Sequence, residues 1–333
     1  MHAPALSPSA RDMTLKAENS TDLKPSAREW ASALARYREP NQARSVIELG
    51  ITLGLFAVFW LLMWMSLAVS YWLSLLLSVP AAGFLLRLFM IQHDCGHGSF
   101  FRRRAANDWV GRAIGALTLT PYDVWRRSHA VHHAGSGNLD HRGTGDITTL
   151  TVREYLGLPQ WRRLCYRLYR NPVVMFGLGP AYVFLLQHRL PIGLMRSGLQ
   201  PWISAMATNA AIASAMVLMI WLVGAAPFFL VHLPITLLAA SIGVWLFYIQ
   251  HQFEHTFWDD HRGWTMHEAA LHGSSHTISP PFCSGSRLIS ASIMSIISAA
   301  AFRTIGCRAS CAIIPNSAIS VGSVCDRASA AFG

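Results

Sequence analysis

The chain has 333 residues, of which 52% are hydrophobic and only 13% are charged. This composition is too apolar for an ordinary soluble domain of this length and predicts a membrane protein. The formal net charge of +10 requires no nucleic-acid partner, because basic residues beside membrane spans meet anionic lipid headgroups.

The N-terminal segment, residues 1–40, is predicted to be a disordered or amphipathic cytoplasmic region. It lacks an apolar core and therefore does not resemble a cleaved signal peptide. The six cysteines of the chain show neither a disulfide pattern nor the spacing of a zinc site.

Two long stretches of the chain are apolar enough for pairs of membrane spans. Residues 45–86 contain no Lys or Arg, and a bilayer core of ~30 Å needs about 20 apolar helical residues, so this stretch fits two crossings. A second such stretch is interrupted near Gly224 and Pro227. The four predicted spans are residues 46–67, 69–91, 203–223 and 228–249.

All the basic residues except Arg87, near the end of the second span, lie outside these spans, and the two hairpin tips carry none. The positive-inside rule therefore predicts cytoplasmic termini and a cytoplasmic cap formed by residues 92–202 and 250–276. Residues 172–187 are apolar but too short for a fifth span, so they are predicted to be interfacial.

Three groups of histidines lie at the ends of these spans or between them. His93 and His97 lie four residues apart where the second span ends, which places them on one helix face. His129, His132 and His133 share a face at spacings of three and four. His251 and His255 repeat the first pattern after the fourth span.

Seven imidazoles are too many for one tetrahedral zinc, so the pattern predicts two metal ions at the membrane face where the groups meet. A lone histidine near a span is more often a structural residue than a ligand. We assign that ordinary role to His188, His232 and His261.

The motif His93-Asp94-Cys95-Gly96-His97, followed by Gly98-Ser99-Phe100, and the second box from His129 to His133 resemble those of the membrane fatty acid desaturases. The resemblance covers about residues 40–276. It implies an all-α integral membrane fold, with four transmembrane helices in two hairpins under a cytoplasmic helical cap that holds a diiron site. The segment from Gln250 to His255 is similar to the one that supplies additional ligands.

The resemblance also implies a reaction. Two non-haem irons and O2 remove hydrogen from adjacent methylenes of a long acyl chain, carried as a lipid, CoA or carrier-protein ester, and leave a cis double bond. The chain has no flavin, nicotinamide or haem motif of its own, so electrons are expected to come from outside. The resemblance implies that the donor is a ferredoxin or a cytochrome b5-like protein. The metal ligands carry this chemistry, and no separate catalytic residue or organic-cofactor site is expected. Two basic segments are candidates for docking an acidic donor or for contacting lipid: Arg102, Arg103 and Arg104, and Arg162 and Arg163.

The family's last histidine box is missing, because no histidine follows His276. The remaining residues, 277–333, are rich in Ser, Ala and Ile and predict a frameshifted tail. Met294 has the single codon ATG. If the reading frame over residues 292–297 is shifted, so that the last base of each codon is read with the first two bases of the next codon, the sequence HHVHH is permitted. The chain as written is therefore expected to hold its second metal weakly and to have little or no activity.

Two other functions fit the same histidines. A related diiron hydroxylase or ketolase would add an oxygen atom where a desaturase removes two hydrogens. A non-catalytic membrane protein, such as a zinc-binding transporter, would bind zinc in place of iron.

Overall fold

The computed structural model describes residues 40–143, 145–254, 256–266, 268, 269 and 273, and the regular structure of these residues is helical. The predicted all-α fold is confirmed. The predicted frameshifted tail and all but the last residue of the N-terminal segment lie outside the described residues. The α-helices are α1 (Gln42–Ser66), α2 (Tyr71–Gly96), α3 (Arg104–Leu117), α4 (Tyr122–Gly135), α5 (Val152–Gly157), α6 (Gln160–Tyr169), α7 (Gly179–Leu185), α8 (Leu199–Val223) and α9 (Ala225–His251).

Helices α1, α2, α8 and α9 are long and apolar enough to cross a membrane. They overlap the four predicted spans, but each extends beyond one or both predicted ends. Hydropathy marks only the lipid-facing part of a span, whereas helical hydrogen bonding continues into the polar residues beside it. A short loop joins α1 to α2, and Gly224, with a φ of 87°, forms the turn between α8 and α9.

Helix α2 is the central element of the membrane region. Half of its most apolar window is buried, whereas only 6% of the corresponding window of α8 is, so α8 presents most of its surface to lipid. Phe84 of α2 stacks on Phe59 of α1 at a ring distance of 5.6 Å. On its other side, α2 shares a buried apolar core with Val231 and Ile235 of α9.

A charged pair joins α1 to α2 within the apolar region. Arg87, which is only 6% exposed, donates to the carboxylate of Glu48. Charges inside a membrane are costly unless they are paired. The two residues therefore hold the two helices together about one and a half turns before His93.

Helices α3 and α4 form the part of the polar segment nearest to α2. Arg112 of α3 donates to both carboxylate oxygens of Asp123 on α4, at 2.9 and 3.2 Å. Asp108 of α3 accepts from Arg126 of α4 at 2.6 Å. Two ion pairs thus fix α4, which carries the second histidine group, against α3.

The segment predicted to be interfacial is divided into short elements. It contains a π-helical turn (Val174–Leu178), α7 and a 3-10 turn (Gln187–Arg189). Within the described part of the chain, no fifth helix is long enough to span a membrane. This division into short elements is consistent with the prediction that residues 172–187 do not span the membrane.

Gly111 allows α3 and α4 to approach closely, because a Cβ atom there would lie 2.2 Å from the ring of the fully buried Tyr122. We expect Gly111→Ala to lower the free energy of unfolding by about 1–3 kcal/mol, since the ring has no room to move. Gly54→Ala is the matched control, because a Cβ there meets no atom within 4 Å. Thermal unfolding in detergent measures both, and equal midpoints for the two variants would contradict the packing argument.

Candidate metal centre

The first two ligand candidates lie at the end of α2. His93 is buried in the last turns of the helix, and His97 follows its final residue. The amide of His97 still donates to the carbonyl of His93, so the helical spacing of four is kept and both rings lie on one side. Their ring centres are 4.6 Å apart.

Helix α4 brings the second histidine group against this face. Trp125 of α4 stacks on His129 at 4.6 Å and lies 5.6 Å from His93. Gly96 makes this approach possible, since a Cβ at that position would lie 2.9 Å from the Trp125 ring. The glycine of the first histidine motif is therefore a packing residue between the two ligand-bearing helices.

Four imidazoles converge at this contact, from His93, His97, His129 and His133, and their ligand atoms all lie within 4.8 Å of one another. We refer to these residues as the four-histidine cluster. Nε2 of His129 lies 2.8 Å from Nε2 of His93, 3.2 Å from that of His97 and 3.0 Å from that of His133.

Hydrogen bonding does not explain this convergence. Nε2 of a neutral imidazole carries one proton or one lone pair, so it cannot bond to three other ring nitrogens. A cation ~2 Å from each nitrogen would hold them roughly 3 Å apart, which matches the observed separations. The donor set therefore fits a transition-metal ion that prefers imidazole.

Burial favours the neutral form of three of these imidazoles, those of His97, His129 and His133, and the neutral form is the one that binds a metal. Burial first, and then the neighbouring His93, lower the pKa of His97 to about 3. Burial and the surrounding imidazoles lower the pKa of His133 to about 2 and hold that of His129 well below its ordinary value.

His132 and His251 form a second pair beside the cluster, with ring centres 4.9 Å apart. Nδ1 of His132 contacts the carboxylate of Asp146, while its buried Nε2 has no hydrogen-bond partner among the described residues. Nδ1 of His251 lies 3.3 Å from the carbonyl oxygen of Gly273. Both rings are thus held at Nδ1 by an oxygen atom. In metal-binding histidines a carboxylate or a carbonyl commonly holds the ring in this way, at the nitrogen that does not bind the metal.

The remaining predicted ligand, His255, lies outside the described residues. The three histidines assigned to ordinary roles take no part in the four-histidine cluster. His188 packs against Phe184, His232 stacks on Phe228, and His261 lies beside His141.

The turn that leads into α4 is fixed from two sides by residues that the sequence did not single out. Leu119 has a φ of 55°, which is strained for a residue with a branched side chain. The preceding Thr118 donates to Gln92, the neighbour of His93, at 2.6 Å. Arg189 donates to the carbonyl of Leu119 and, at 2.9 Å, to the side chain of Asn209 on α8.

A small cleft lies beside His251. Its walls are mainly apolar, with aromatic side chains next to the second histidine pair. They include Ile147, Phe247, Gln252, Phe257 and Trp258, together with Asp146. The apolar side chains of the cleft therefore lie beside the candidate metal ligands.

Comparisons with known proteins agree with this geometry. The family profile described as fatty acid desaturase matches residues 70–284. A fatty acid desaturase of Bacillus subtilis is 46% identical over 242 residues, which cover 73% of this chain and 68% of that protein. Two further relatives match over shorter regions and less than a third of their own length. An sn-1 acyl-lipid omega-3 desaturase (ferredoxin) of Synechocystis is 32% identical over 31% of this chain and 28% of its own. An endoplasmic-reticulum acyl-lipid omega-3 desaturase (cytochrome b5) of Arabidopsis thaliana is 34% identical over 37% of this chain and 29% of its own.

The lowered pKa values predict how pH affects the metal-free chain. Below pH ~6.5 the unfolded chain protonates these histidines, whereas the folded chain does so only near pH 3 or below, so acid favours unfolding. We expect stability to fall as pH decreases through this window, by up to about 1.4 kcal/mol per pH unit for each such histidine.

Thermal unfolding of chelator-treated protein between pH 7.5 and 5.0 measures this dependence. His97→Gln should make it shallower, whereas His141→Gln, which removes an exposed imidazole, should leave it unchanged. A midpoint that is constant over this pH range would show that the cluster is not held neutral by burial.

Proposed function

Since the chain belongs to the fatty acid desaturase family, and is therefore an oxidoreductase, we propose that it introduces a cis double bond into a long acyl chain with O2 and two histidine-bound irons. The observation that carries this proposal is the convergence of three ring nitrogens on Nε2 of His129 at the end of a membrane helix. General acid–base residues alone cannot perform this reaction, because an unactivated C–H bond has no proton that a base can remove.

The first iron would be held by the four-histidine cluster. The second would be held by His132 and His251, with His255 as a further ligand. Imidazole suits iron, and burial lowers the pKa of His97, His129 and His133, which favours their neutral, metal-binding form. When bound, the irons supply the oxidation by O2 that removes one hydrogen from each of two neighbouring methylenes.

The protein's own residues orient the ligands and exclude water. Asp146 fixes the ring of His132, and removing such an outer partner typically weakens metal binding or activity by 10- to 100-fold. Trp125 and Gly96 set the distance between α2 and α4. The apolar cleft walls, including Phe247 and Trp258, would hold the acyl chain against the second histidine pair.

The acyl carrier and the electron donor are assigned from the relatives' names. Relatives described as acyl-lipid desaturases support a lipid-bound acyl chain as the substrate. The same names specify ferredoxin for one relative and cytochrome b5 for another, which supports an external one-electron donor here. The positive-inside rule supports a cytoplasmic position for the termini and the metal centre.

The tail limits what the chain as written can do. We infer that residues 277–333 are translated in a shifted frame and that the neighbouring frame encodes the missing third box, HHVHH. The match to the family profile ends at residue 284, close to the proposed change of frame. Without those ligands the second iron would lack part of its coordination sphere.

The proposal predicts different products from two versions of the gene. Cells that express the chain with the frame restored after residue 276 should gain acyl chains two mass units lighter than their precursors, and only in the presence of O2. Cells that express the chain as written should show little or none of this product. Mass spectrometry of extracted fatty acids, with chemical location of the double bond, measures both.

His129→Ala in the restored chain should abolish the product, because it removes the nitrogen on which the cluster converges. His232→Ala, which removes a histidine stacked on Phe228 inside α9, is the control and should retain activity. A product 16 mass units heavier would indicate a hydroxylase. A restored chain that accumulates at normal levels and changes no acyl chain would refute the desaturase assignment.

A further inference from the structure

Helix α6 (Gln160–Tyr169) has two faces of different chemistry. Trp161, Leu164 and Leu168 follow one another at helical spacings of three and four. Their side chains are 62%, 58% and 54% exposed, which is unusual for large apolar residues aligned on a single face. Cys165 is exposed and lies on the same face.

Two tyrosines dock α6 on the protein, Tyr166 from the side opposite the apolar face and Tyr169 from the C-terminal end of the helix. The hydroxyl of Tyr166 accepts from the amide of Leu150 at 3.2 Å, and that of Tyr169 accepts from the amide of Thr148 at 3.1 Å. These bonds hold the segment next to Asp146 and Ile147 of the cleft wall. Because both hydroxyls are bonded to this segment, α6 cannot turn its apolar residues inward without losing these bonds.

The position of α6 is fixed relative to the end of a membrane span. Arg170, which ends α6, donates to the side chain of Gln252 at 3.2 Å and lies 5.4 Å over the ring of Tyr248. Tyr248 belongs to the last turn of α9, and Gln252 follows that helix. The C-terminal end of α6 therefore lies at the level where α9 leaves the apolar region.

The apolar surface continues beyond α6. Val173 and Leu178, in the segment that follows, are 71% and 65% exposed. That segment contacts α9, with Phe176 packed against Tyr248 at a ring distance of 5.4 Å. The exposed face of α6 is thus continuous with the surface that the spanning helices present to lipid.

Positive charge borders the apolar face of α6. Its sequence, QWRRLCYRLY, contains three arginines and no acidic residue. Within the described part of the chain, Arg162, Arg163 and Arg167 form no ion pair with a carboxylate. Arg162 instead lies 5.0 Å over the ring of Trp161, and Arg167 donates to the hydroxyl of Tyr155.

We propose that α6 is a membrane-surface helix that inserts Trp161, Leu164 and Leu168 among the acyl chains and binds anionic phospholipid headgroups through Arg162 and Arg167. Large apolar residues on one face with arginines beside them are typical of helices that lie in the membrane interface. Each arginine near an anionic membrane surface raises the partition coefficient of a helix from water to the membrane roughly fivefold. An acidic electron donor fits the arginines but not three large apolar side chains in a row. This proposal rests on the membrane spans and not on the proposed reaction.

Spin labelling tests the position of the helix. The full chain, with Cys283, Cys307, Cys311 and Cys325 replaced by Ser, would carry a nitroxide at Cys165 in lipid nanodiscs, since Cys95 is fully buried. We expect O2, which concentrates in lipid, to relax this label several-fold more effectively than a water-soluble nickel chelate. A label at Gln160→Cys, in a chain that also carries Cys165→Ser, is the matched control from outside the apolar face and should be more accessible to nickel.

Lipid composition tests the role of the arginines. The O2-to-nickel ratio at Cys165 should rise from phosphatidylcholine discs to discs that contain phosphatidylglycerol. The double variant Arg162→Gln and Arg167→Gln should lose this rise. Arg262→Gln, which removes an exposed arginine from another loop, should keep it.

Three results would overturn the proposal. Equal nickel access at Cys165 and Gln160 in both lipids would place the face in water. A label in lipid whose depth is independent of lipid charge would exclude headgroup binding by the arginines. A water-exposed label that an added acidic ferredoxin protects would identify a protein-docking surface. None of these results depends on catalysis, so they do not bear on the desaturase assignment.

Discussion

Three imidazole nitrogens lie within 3.2 Å of a fourth, Nε2 of His129, and the rest of the polar region is arranged to allow this contact. Neutral rings at such distances gain little from one another, and burial disfavours protonation of His97, His129 and His133. A bound cation would convert the cluster from an unsatisfied polar site into a coordinated one. The cluster therefore couples the stability of the fold to the metal that we propose it binds.

Few residues fix this geometry, and each acts on the distance or direction between α2 and α4. Gly96 lets the helices touch, and Trp125 fills the contact beside His129. The strained turn at Leu119 sets the direction of α4. Gln92 of α2, which accepts from Thr118, and Arg189, which donates to the carbonyl of Leu119, hold that turn. On the membrane side, the paired charges of Arg87 and Glu48 keep α1 against α2. The metal centre and the membrane bundle are thus parts of one packing arrangement.

Much of this could be predicted from the sequence, because the deciding signals are local. Hydropathy gave the four spans, and the spacing of four gave a shared face for His93 and His97. Spacing alone also placed His132 on one face with His129 and His133, yet the structure pairs His132 with Asp146 and His251. That division depends on tertiary contacts between segments far apart in the chain. The same limit applies to Asp146, which lies in a loop with no motif, and to Arg189, which resembles any basic residue near a membrane.

The iron content of the purified chain tests the central claim most directly. Protein would be produced in cells supplied with ⁵⁷Fe, and iron and zinc would be counted per chain and characterised by Mössbauer spectroscopy. The account predicts about one iron in the chain as written, held by the complete four-histidine cluster, and about two coupled irons once the frame is restored. Iron in neither chain, or zinc in its place, would contradict it.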